Sequence, residues 1–489
     1  MLFNSLEYLI FLFIVLAVYW KLLKNKTSKQ NILILVSSYY FYACWDWRFL
    51  TLIIFSTVVD YSCGYKIHKT KNLKARKYWL FLSVAFNIGL LGIFKYFNFF
   101  LDSLMIFANG IGYQGDPWTL KIILPVGISF YTFQTLSYSI DIYRRQLTPI
   151  TNYVAFASFV SFFPQLVAGP IERAKFLLPQ FIGKRIFSWT NIQDGIQMII
   201  WGLFKKIIVA DSLAGVVNSA FVDISDKPAP VLILATFLFS FQIYCDFSGY
   251  SEIALGSAKM LGINLSRNFR TPYYALSFTE FWGRWHISLS SWFKDYVYIP
   301  LGGNKRGSLR QYINLFITFL LSGLWHGASW TFVLWGAGHG LLLSLEKLIR
   351  TFVYVPQNKL FSVIRLTVTY ISVCMLWIIF RANGISDVIL IYKKLFSFNY
   401  IEFFYTLGSL GKGNNVLGIT WDYNYDSLIY FAFLIVIVNL LECFNVPSIM
   451  STQLTGKRKY LSYIYIISIA SIIFILAGNS PNDFIYFQF

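Results

Sequence analysis

Apolar runs separated by short polar links repeat along the whole chain. They approach the roughly 17 to 25 residues that a tilted helix needs to cross a bilayer. The runs occupy residues 5–20, 31–45, 48–65, 79–100, 121–140, 191–210, 231–247, 312–324, 328–345, 361–380, 428–444 and 461–478. This pattern predicts an all-α polytopic membrane protein with about eleven or twelve transmembrane helices.

Two parts of the pattern favour re-entrant segments over full crossings. The run 153–168 has basic residues on both sides and contains Pro164, with Pro170 shortly after it. Proline interrupts helices, and broken backbone at membrane depth is tolerated only inside protein or beside a water-filled cavity. The run 312–324 has only about 13 residues, or roughly 20 Å of helix. We therefore expect the joint 322–327 to lie within the membrane.

The basic residues indicate the orientation. Lysines cluster after the first and third runs, and Lys457, Arg458 and Lys459 precede the last run. Because cytoplasmic links are enriched in Lys and Arg, we expect both termini outside. We expect one membrane domain over 1–489, with N-terminal spans in 1–150, a catalytic core in 151–350 and C-terminal spans in 351–489.

Composition narrows the function classes. Of 489 residues, 57% are hydrophobic and 13% charged, outside the range of soluble proteins. The net charge of +19 comes from basic residues grouped between apolar runs, so we expect no nucleic-acid partner. The 5 cysteines are odd in number and form no C-x-x-C pair, so neither a disulfide framework nor a metal site is expected.

Three of the 4 histidines lie between residues 278 and 345. A titratable side chain among apolar residues at bilayer depth indicates a functional site. His326 follows Trp325 and precedes Gly327, so a buried neutral imidazole there is a candidate general base, the alternative being a structural hydrogen bond. His286 has the same two interpretations. Continuing a helix from His326 to His339 turns the side chain by about 220°, which predicts that His339 faces elsewhere and packs.

His68 lies among lysines, and we expect it to be solvated. Acidic residues within predicted spans have two interpretations as well, because each can pair with a basic side chain in the helix bundle or line a polar pathway. These residues are Asp60, Asp141, Asp246 and Glu252.

Five stretches carry a family resemblance. They read FFPQLVAGPI at 162–171, YCDFSGYS at 244–251, FWGRWHISLS at 281–290, DYVYIPLGG at 295–303 and LWHGASW at 324–330. The combination resembles the membrane-bound O-acyltransferase superfamily. Within it, the chain is similar to the bacterial alginate and peptidoglycan O-acetylation membrane proteins and the lipoteichoic acid D-alanylation membrane protein. Gly283 departs from the family pattern, where a basic residue is expected.

The resemblance implies that His326 is the central histidine and His286 the second. It implies acyl transfer from a cytoplasmic donor, with acetyl-CoA as the donor substrate and no permanently bound cofactor. Basic and aromatic residues on the predicted cytoplasmic side are then candidates for contacting CoA. These residues are Arg284, Trp285, Lys294, Lys305 and Arg306.

The resemblance also bears on the C-terminus, where Tyr486 looks like the tyrosine proposed to carry the acyl group in this branch. The alternative is that Tyr486 is an aromatic interfacial anchor. An extracytoplasmic SGNH-type acetyltransferase, an exported glycan and membrane lipids are the implied partners, in a bacterial inner membrane. Two rival functions stay open at this point: acyl transfer to a lipid or protein acceptor, and transport without chemistry.

Overall fold

The computed structural model describes residues 1–112, 123–167, 169–354, 356, 358–397, 399, 425–443 and 466–473. Helices dominate these residues, and no strand occurs among them. A helix satisfies its backbone hydrogen bonds within one segment, as apolar runs in lipid require. The all-α prediction is therefore confirmed.

The chain divides into two compact units, and the first comprises Met1–Ile199 and Ile253–Arg267. Helices α3, α4 and α6 of this unit pack against one another, and α7 packs against α2 and α9. The helices within the first unit are α1 (Leu6–Ala17), α2 (Thr27–Asp46), α3 (Leu50–Lys69), α4 (Leu73–Leu91), α5 (Phe97–Gly110), α6 (Ile128–Tyr143), α7 (Tyr153–Ser161), α8 (Phe163–Leu166) and α9 (Ala174–Ile182).

The second unit comprises Ile200–Glu252 and the residues from Asn268 onward. Two long helices, α10 (Trp189–Leu203) and α12 (Ala229–Met260), contribute residues to both units. The other helices of the second unit are α11 (Asp211–Ala220), α13 (Phe278–Trp282), α14 (Ile287–Phe293), α15 (Ser308–His326), α16 (Trp330–Phe352), α17 (Lys359–Arg381), α18 (Ile385–Phe396) and a further helix, Tyr425–Cys443.

This division does not follow the predicted boundaries at residues 150 and 350. Both units draw residues from two separate parts of the chain, because α12 leaves one unit and enters the other between Glu252 and Ile253. The single membrane domain over 1–489 stays a prediction.

Among the described residues, five helical stretches are long and apolar enough to cross a membrane. The first contains α2 and α3, each of 20 residues, or about 30 Å, which matches the hydrocarbon core of a bilayer. The stretches are Thr27–Lys69, Leu73–Gly110, Ala229–Met260, Trp330–Phe352 and Lys359–Arg381. The protein is thus a multi-pass membrane protein, and the total of eleven or twelve crossings stays a prediction.

The predicted break in the run 153–168 is present. Helix α7 has 9 residues, or roughly 14 Å, and ends at Ser161, because the next residue, Phe162, has a ψ of 105° that is not helical. The short helix α8 follows, with Pro164 near its start. Nearly all of α7 and α8 is buried inside the protein, where interrupted backbone is tolerated.

The predicted length of the run 312–324 was wrong. Helix α15 begins at Ser308 and has 19 residues, or about 28 Å, so it is not too short to cross. The difference arises because its first turn is polar, and a hydropathy pattern does not detect helix that continues through polar residues.

Asp60 on α3 is buried and is held by neutral side chains rather than by a basic partner. Ser83 and Asn87 on α4 donate hydrogen bonds to its carboxylate, at 2.5 Å from the Ser83 hydroxyl and 2.9 Å from the Asn87 amide. The Ser139 hydroxyl on α6 lies 2.8 Å from the Ser83 hydroxyl. Asp60 therefore joins three helices through a polar contact.

Glycines bring α15 and α16 into close contact. A Cβ atom on Gly323 would lie 2.2 Å from the carbonyl oxygen of Phe332 and 3.0 Å from the Cα of Gly336. A Cβ atom on Gly336 would lie 2.3 Å from the carbonyl oxygen of Phe319. Small residues at such positions let membrane helices approach backbone to backbone.

We predict that Gly336→Ala destabilises the protein by about 1–3 kcal/mol, because the new methyl group meets backbone that cannot move aside. The apparent unfolding temperature of detergent-purified protein measures this. Gly89→Ala is the matched control, since nothing lies within 4 Å of a Cβ atom at that helical glycine. Equal unfolding temperatures for the two variants would contradict the prediction.

Candidate active site

His286 lies in a sharp turn between α13 and α14. It is the residue before α14 and adopts a left-handed conformation, with φ of 41° and ψ of 54°. A residue other than glycine costs of order 1–3 kcal/mol in a sparsely populated backbone region, which the surrounding structure must offset. Such residues cluster at functional sites.

The His286 side chain is fully buried, and both ring nitrogens lack a hydrogen-bond partner among the described residues. Burial lowers the pKa of His286 from its usual 6.5 to about 3. The imidazole is therefore uncharged at neutral pH, with one nitrogen that can donate a hydrogen bond and one that can accept.

His326 is the last residue of α15 and is also buried. Its ring lies 4.9 Å from that of Trp335 and 5.6 Å from that of Phe380, between ring centroids. Gly327 then adopts an extended conformation, and a Cβ atom there would lie 2.2 Å from the Phe332 ring. The glycine after His326 thus permits the close approach of the Phe332 ring.

The turn and the helix end bring the two predicted histidines together. The ring centroids of His286 and His326 are 6.4 Å apart. Trp325 lies beside both rings, at 5.8 Å from His286 and 5.0 Å from His326, and Phe247 packs on His286 at 4.6 Å. Two imidazoles therefore share one aromatic enclosure.

The prediction that His339 faces elsewhere was wrong. Its ring packs on Trp335 at 4.7 Å, the same tryptophan that contacts His326, and its Nδ1 accepts a hydrogen bond of 3.3 Å from Trp282. The 220° rotation assumed one continuous helix, whereas His326 ends α15 and His339 lies on α16. The hydrogen bond from Trp282 agrees with a packing role for His339.

The predicted CoA contacts fall into two environments. Lys294, Lys305 and Arg306 are exposed. Arg284 is partly exposed and forms an ion pair of 2.6 Å with Glu280. Trp285, in contrast, is fully buried, with its ring 5.0 Å from that of Trp377. Trp285 also packs on Phe269, whose ring contacts that of His286, so Trp285 belongs to the aromatic surroundings of the site rather than to the exposed basic surface.

A buried ionic cluster lies next to the site along α12, and only its member Asp246 was predicted from the sequence. Lys206 forms ion pairs with Asp246, at 2.6 Å, and with Asp211, at 2.8 Å. Asp246 precedes Phe247, which packs on His286. The missed signal was the adjacent pair Lys205 and Lys206 inside an apolar run, where buried ammonium groups require partners.

Tyr486 lies outside the described residues, so its role as acyl carrier stays a prediction. Among the described residues, no three His, Cys, Asp or Glu side chains are grouped in a way that fits a metal ion. The chemistry that the site offers is that of two buried imidazoles among aromatic rings, which suits proton transfer from a hydroxyl and hydrogen bonding to a carbonyl oxygen.

A helical membrane fold around such a site defines the class of membrane-embedded group-transfer enzymes. Residues 45–386 match the membrane-bound O-acyltransferase family, and the chain belongs to that family. It is an O-acyltransferase.

Curated relatives agree with this assignment. A probable alginate O-acetylase of Pseudomonas putida is 40% identical over 392 residues, covering 80% of this chain and 79% of the relative. A peptidoglycan O-acetyltransferase of Helicobacter pylori is 35% identical over 402 residues, covering 76% of this chain and 74% of the relative. A teichoic acid D-alanyltransferase of Bacillus subtilis is 27% identical over 289 residues, covering 54% of this chain and 70% of the relative.

The lowered pKa of His286 predicts how stability depends on pH. As pH falls below about 6.5, the unfolded state takes up a proton that buried His286 does not accept until about pH 3. Stability from this group is therefore complete above pH 6.5 and is lost on acidification, by up to about 1.4 kcal/mol per pH unit. Replacing His286 by Asn, which tolerates the left-handed conformation, removes this dependence.

Apparent unfolding temperatures between pH 7.5 and pH 5 check this prediction. We expect a smaller acid-induced decrease for His286→Asn than for the wild type. His68→Asn, at an exposed histidine, serves as the control and should keep the wild-type decrease. The same decrease in all three proteins would show that His286 is not buried in its neutral form.

Proposed function

We propose that this O-acyltransferase moves acetyl groups from cytoplasmic acetyl-CoA across a bacterial inner membrane, for O-acetylation of an exported polysaccharide or cell-wall glycan. The observation that carries the proposal is the pair of buried imidazoles, His286 and His326, with ring centroids 6.4 Å apart in one aromatic enclosure. Both termini lie on the outer side in this proposal, as the distribution of basic residues indicates.

The two histidines take different roles. The acceptor hydroxyl oxygen attacks the thioester carbonyl carbon, a C–O bond forms, and the hydroxyl proton passes to His326 as general base. The carbonyl electron pair moves to oxygen, and when it returns, the C–S bond breaks and the thiolate of CoA receives the proton from His326. His286, whose pKa of about 3 keeps it neutral, donates an N–H hydrogen bond to the developing oxyanion.

Exposed basic side chains support an anionic donor. Three basic side chains that follow His286 in the sequence are exposed, namely Lys294, Lys305 and Arg306. Their ammonium and guanidinium groups are of the kind that binds phosphates. Arg284 already pairs with Glu280, so it contributes less free positive charge. We assign the CoA phosphates to the exposed residues and assign Trp285 to the wall of the enclosure.

The names of the relatives support a glycan as final acceptor, since they include an alginate O-acetylase and a peptidoglycan O-acetyltransferase. In the proposed reaction, Tyr486 receives the acetyl group and passes it to an extracytoplasmic SGNH-type transferase. A phenol supplies the hydroxyl that the chemistry requires, and its proton goes to His326.

We predict that His326→Ala abolishes acetyl ester on purified cell-surface polysaccharide, because the attacking hydroxyl loses its base. Mutagenesis of single catalytic groups typically lowers rates 10²-fold or more. Ester content is compared in cells with equal membrane abundance of wild type, His326→Ala and His68→Ala, the last as control. Unchanged ester in His326→Ala would make His326 structural or move the acceptor to a lipid or protein.

We predict that Tyr486→Phe abolishes transfer to the glycan while membrane abundance stays unchanged, because phenylalanine keeps the ring and lacks the hydroxyl. Ester content on the same purified polysaccharide measures this, with Tyr354→Phe, at an exposed tyrosine, as the control. Full acetylation by the Tyr486→Phe protein would show that the tyrosine is an interfacial anchor.

A further inference from the structure

The N-terminus of α14 is capped by a residue from a distant segment. The first amide groups of a helix need acceptors, usually the side chain of the preceding residue. Here that residue is His286, whose side chain makes no such bond. The backbone carbonyl of Asn268 accepts from Ile287 N–H at 3.0 Å, and its Oδ1 accepts from Ser288 N–H at 3.3 Å.

The side-chain amide of Asn268 is fixed in its orientation. Its Oδ1 also accepts a hydrogen bond of 2.6 Å from the Ser288 hydroxyl, and the Ser288 backbone N–H can only donate, so the oxygen must face α14. Asn268 is 1% exposed. The backbone carbonyl and the side-chain carbonyl of this buried residue both accept hydrogen bonds from the first residues of α14, so Asn268 holds the start of that helix.

These bonds bracket the turn that contains His286. On the other side of the turn, Arg270 N–H donates to the carbonyl oxygen of Arg284 at 3.0 Å. Segment 268–270 is therefore bonded to the chain both before and after the pair Trp285 and His286. We call these hydrogen bonds of Asn268 and Arg270 the bracket. The bracket offsets the cost of the left-handed backbone at His286, and both imidazole nitrogens stay without structural hydrogen bonds.

We infer that Asn268 is the positioning residue of His286 in acyl transfer. Through α14, it fixes where the imidazole lies in the aromatic enclosure, and it takes over the capping that would otherwise occupy the residue at position 286. The inference rests on the proposed function for the role of His286, whereas the bracket itself is a property of the fold.

The test compares variants of the full-length protein. Asn268→Ala removes the side-chain acceptor, Ser288→Ala removes only the hydroxyl that donates to it, and Asn268→Asp keeps an acceptor oxygen. Ser291→Ala is the matched control, since its hydroxyl donates to the Ser288 carbonyl oxygen in the same helix and makes no contact with Asn268.

The first measurement is the initial rate of acetyl ester formation on surface polysaccharide after induction, normalised to folded protein. We expect a decrease of roughly 10- to 100-fold for Asn268→Ala, since small misplacements of reacting groups cost rates of that order. We expect a decrease of about 2- to 5-fold for Ser288→Ala, from the loss of one hydrogen bond. We expect Ser291→Ala to keep the wild-type rate of ester formation. The rate for Asn268→Asp should be higher than that for Asn268→Ala.

The second measurement is the acid-induced decrease in apparent unfolding temperature between pH 7.5 and pH 5. A displaced His286 gains access to solvent, so the decrease becomes smaller in Asn268→Ala, whereas loss of a simple cap leaves it unchanged. Among the described residues, the rings of Phe247, Phe269, Trp325 and His326 contact that of His286, and His326 is the titratable group of these four.

The two measurements separate the two proposals. If ester formation does not depend on His326, the proposed function fails, while the acid-induced decrease still tests the bracket. The positioning role would be overturned if the acid-induced decrease in unfolding temperature of Asn268→Ala equalled that of the wild type. Equal rates of ester formation for Asn268→Ala and Asn268→Asp would overturn it too. Wild-type ester formation by Asn268→Ala would overturn it as well.

Discussion

The close contact between α15 and α16 is the constraint on which the rest of the site depends. In a membrane, helices gain little hydrophobic free energy by associating, because lipid chains are as apolar as leucine side chains. Glycines at 323 and 336 replace that gain with contact between backbones. The contact sets the end of α15 against α16, and this places the ring of His326 4.9 Å from that of Trp335.

Aromatic side chains then determine the chemical state of His286. Aromatic rings pack around His286 and His326, and burial keeps the imidazole of His286 uncharged at neutral pH. The same environment makes an unpaired ion costly, and the neighbouring Lys206 is accordingly paired with Asp246 and Asp211. Burial thus accounts both for the neutral imidazole of His286 and for the compensated charges beside it.

The sequence predicted the class of fold and the pair His286 and His326, but for different physical reasons. Apolar run length reports directly on helices in a bilayer, so the all-α membrane architecture followed from the pattern. The two histidines were selected by their scarcity in the chain, by their apolar neighbours and by the family resemblance. Their proximity depends on two positions where the helical backbone is interrupted, His286 and Gly327. Hydrophobic periodicity does not predict such interruptions.

The errors arose where local structure departs from an ideal helix or where polar residues continue one. The 220° rotation from His326 to His339 failed because Gly327 is extended. The predicted length of α15 was too short because the helix begins with a polar first turn that the apolar run does not include. Asn268 gave no signal at all, since its importance depends on hydrogen bonds to residues that are distant in the sequence.

Both histidines lie at helix ends, where the backbone hydrogen bonds of a helix are incomplete. A side chain in the middle of a long apolar helix is surrounded by its neighbours and by a backbone whose hydrogen bonds are already made. At a helix end the backbone turns away, and amide and carbonyl groups need other partners. Such irregular backbone is tolerated at membrane depth only within protein, so its presence already requires an enclosure. His286 precedes α14 and His326 ends α15, so each histidine occupies a position where the fold must provide a protected space. The two side chains that the proposed chemistry uses therefore lie where helices stop.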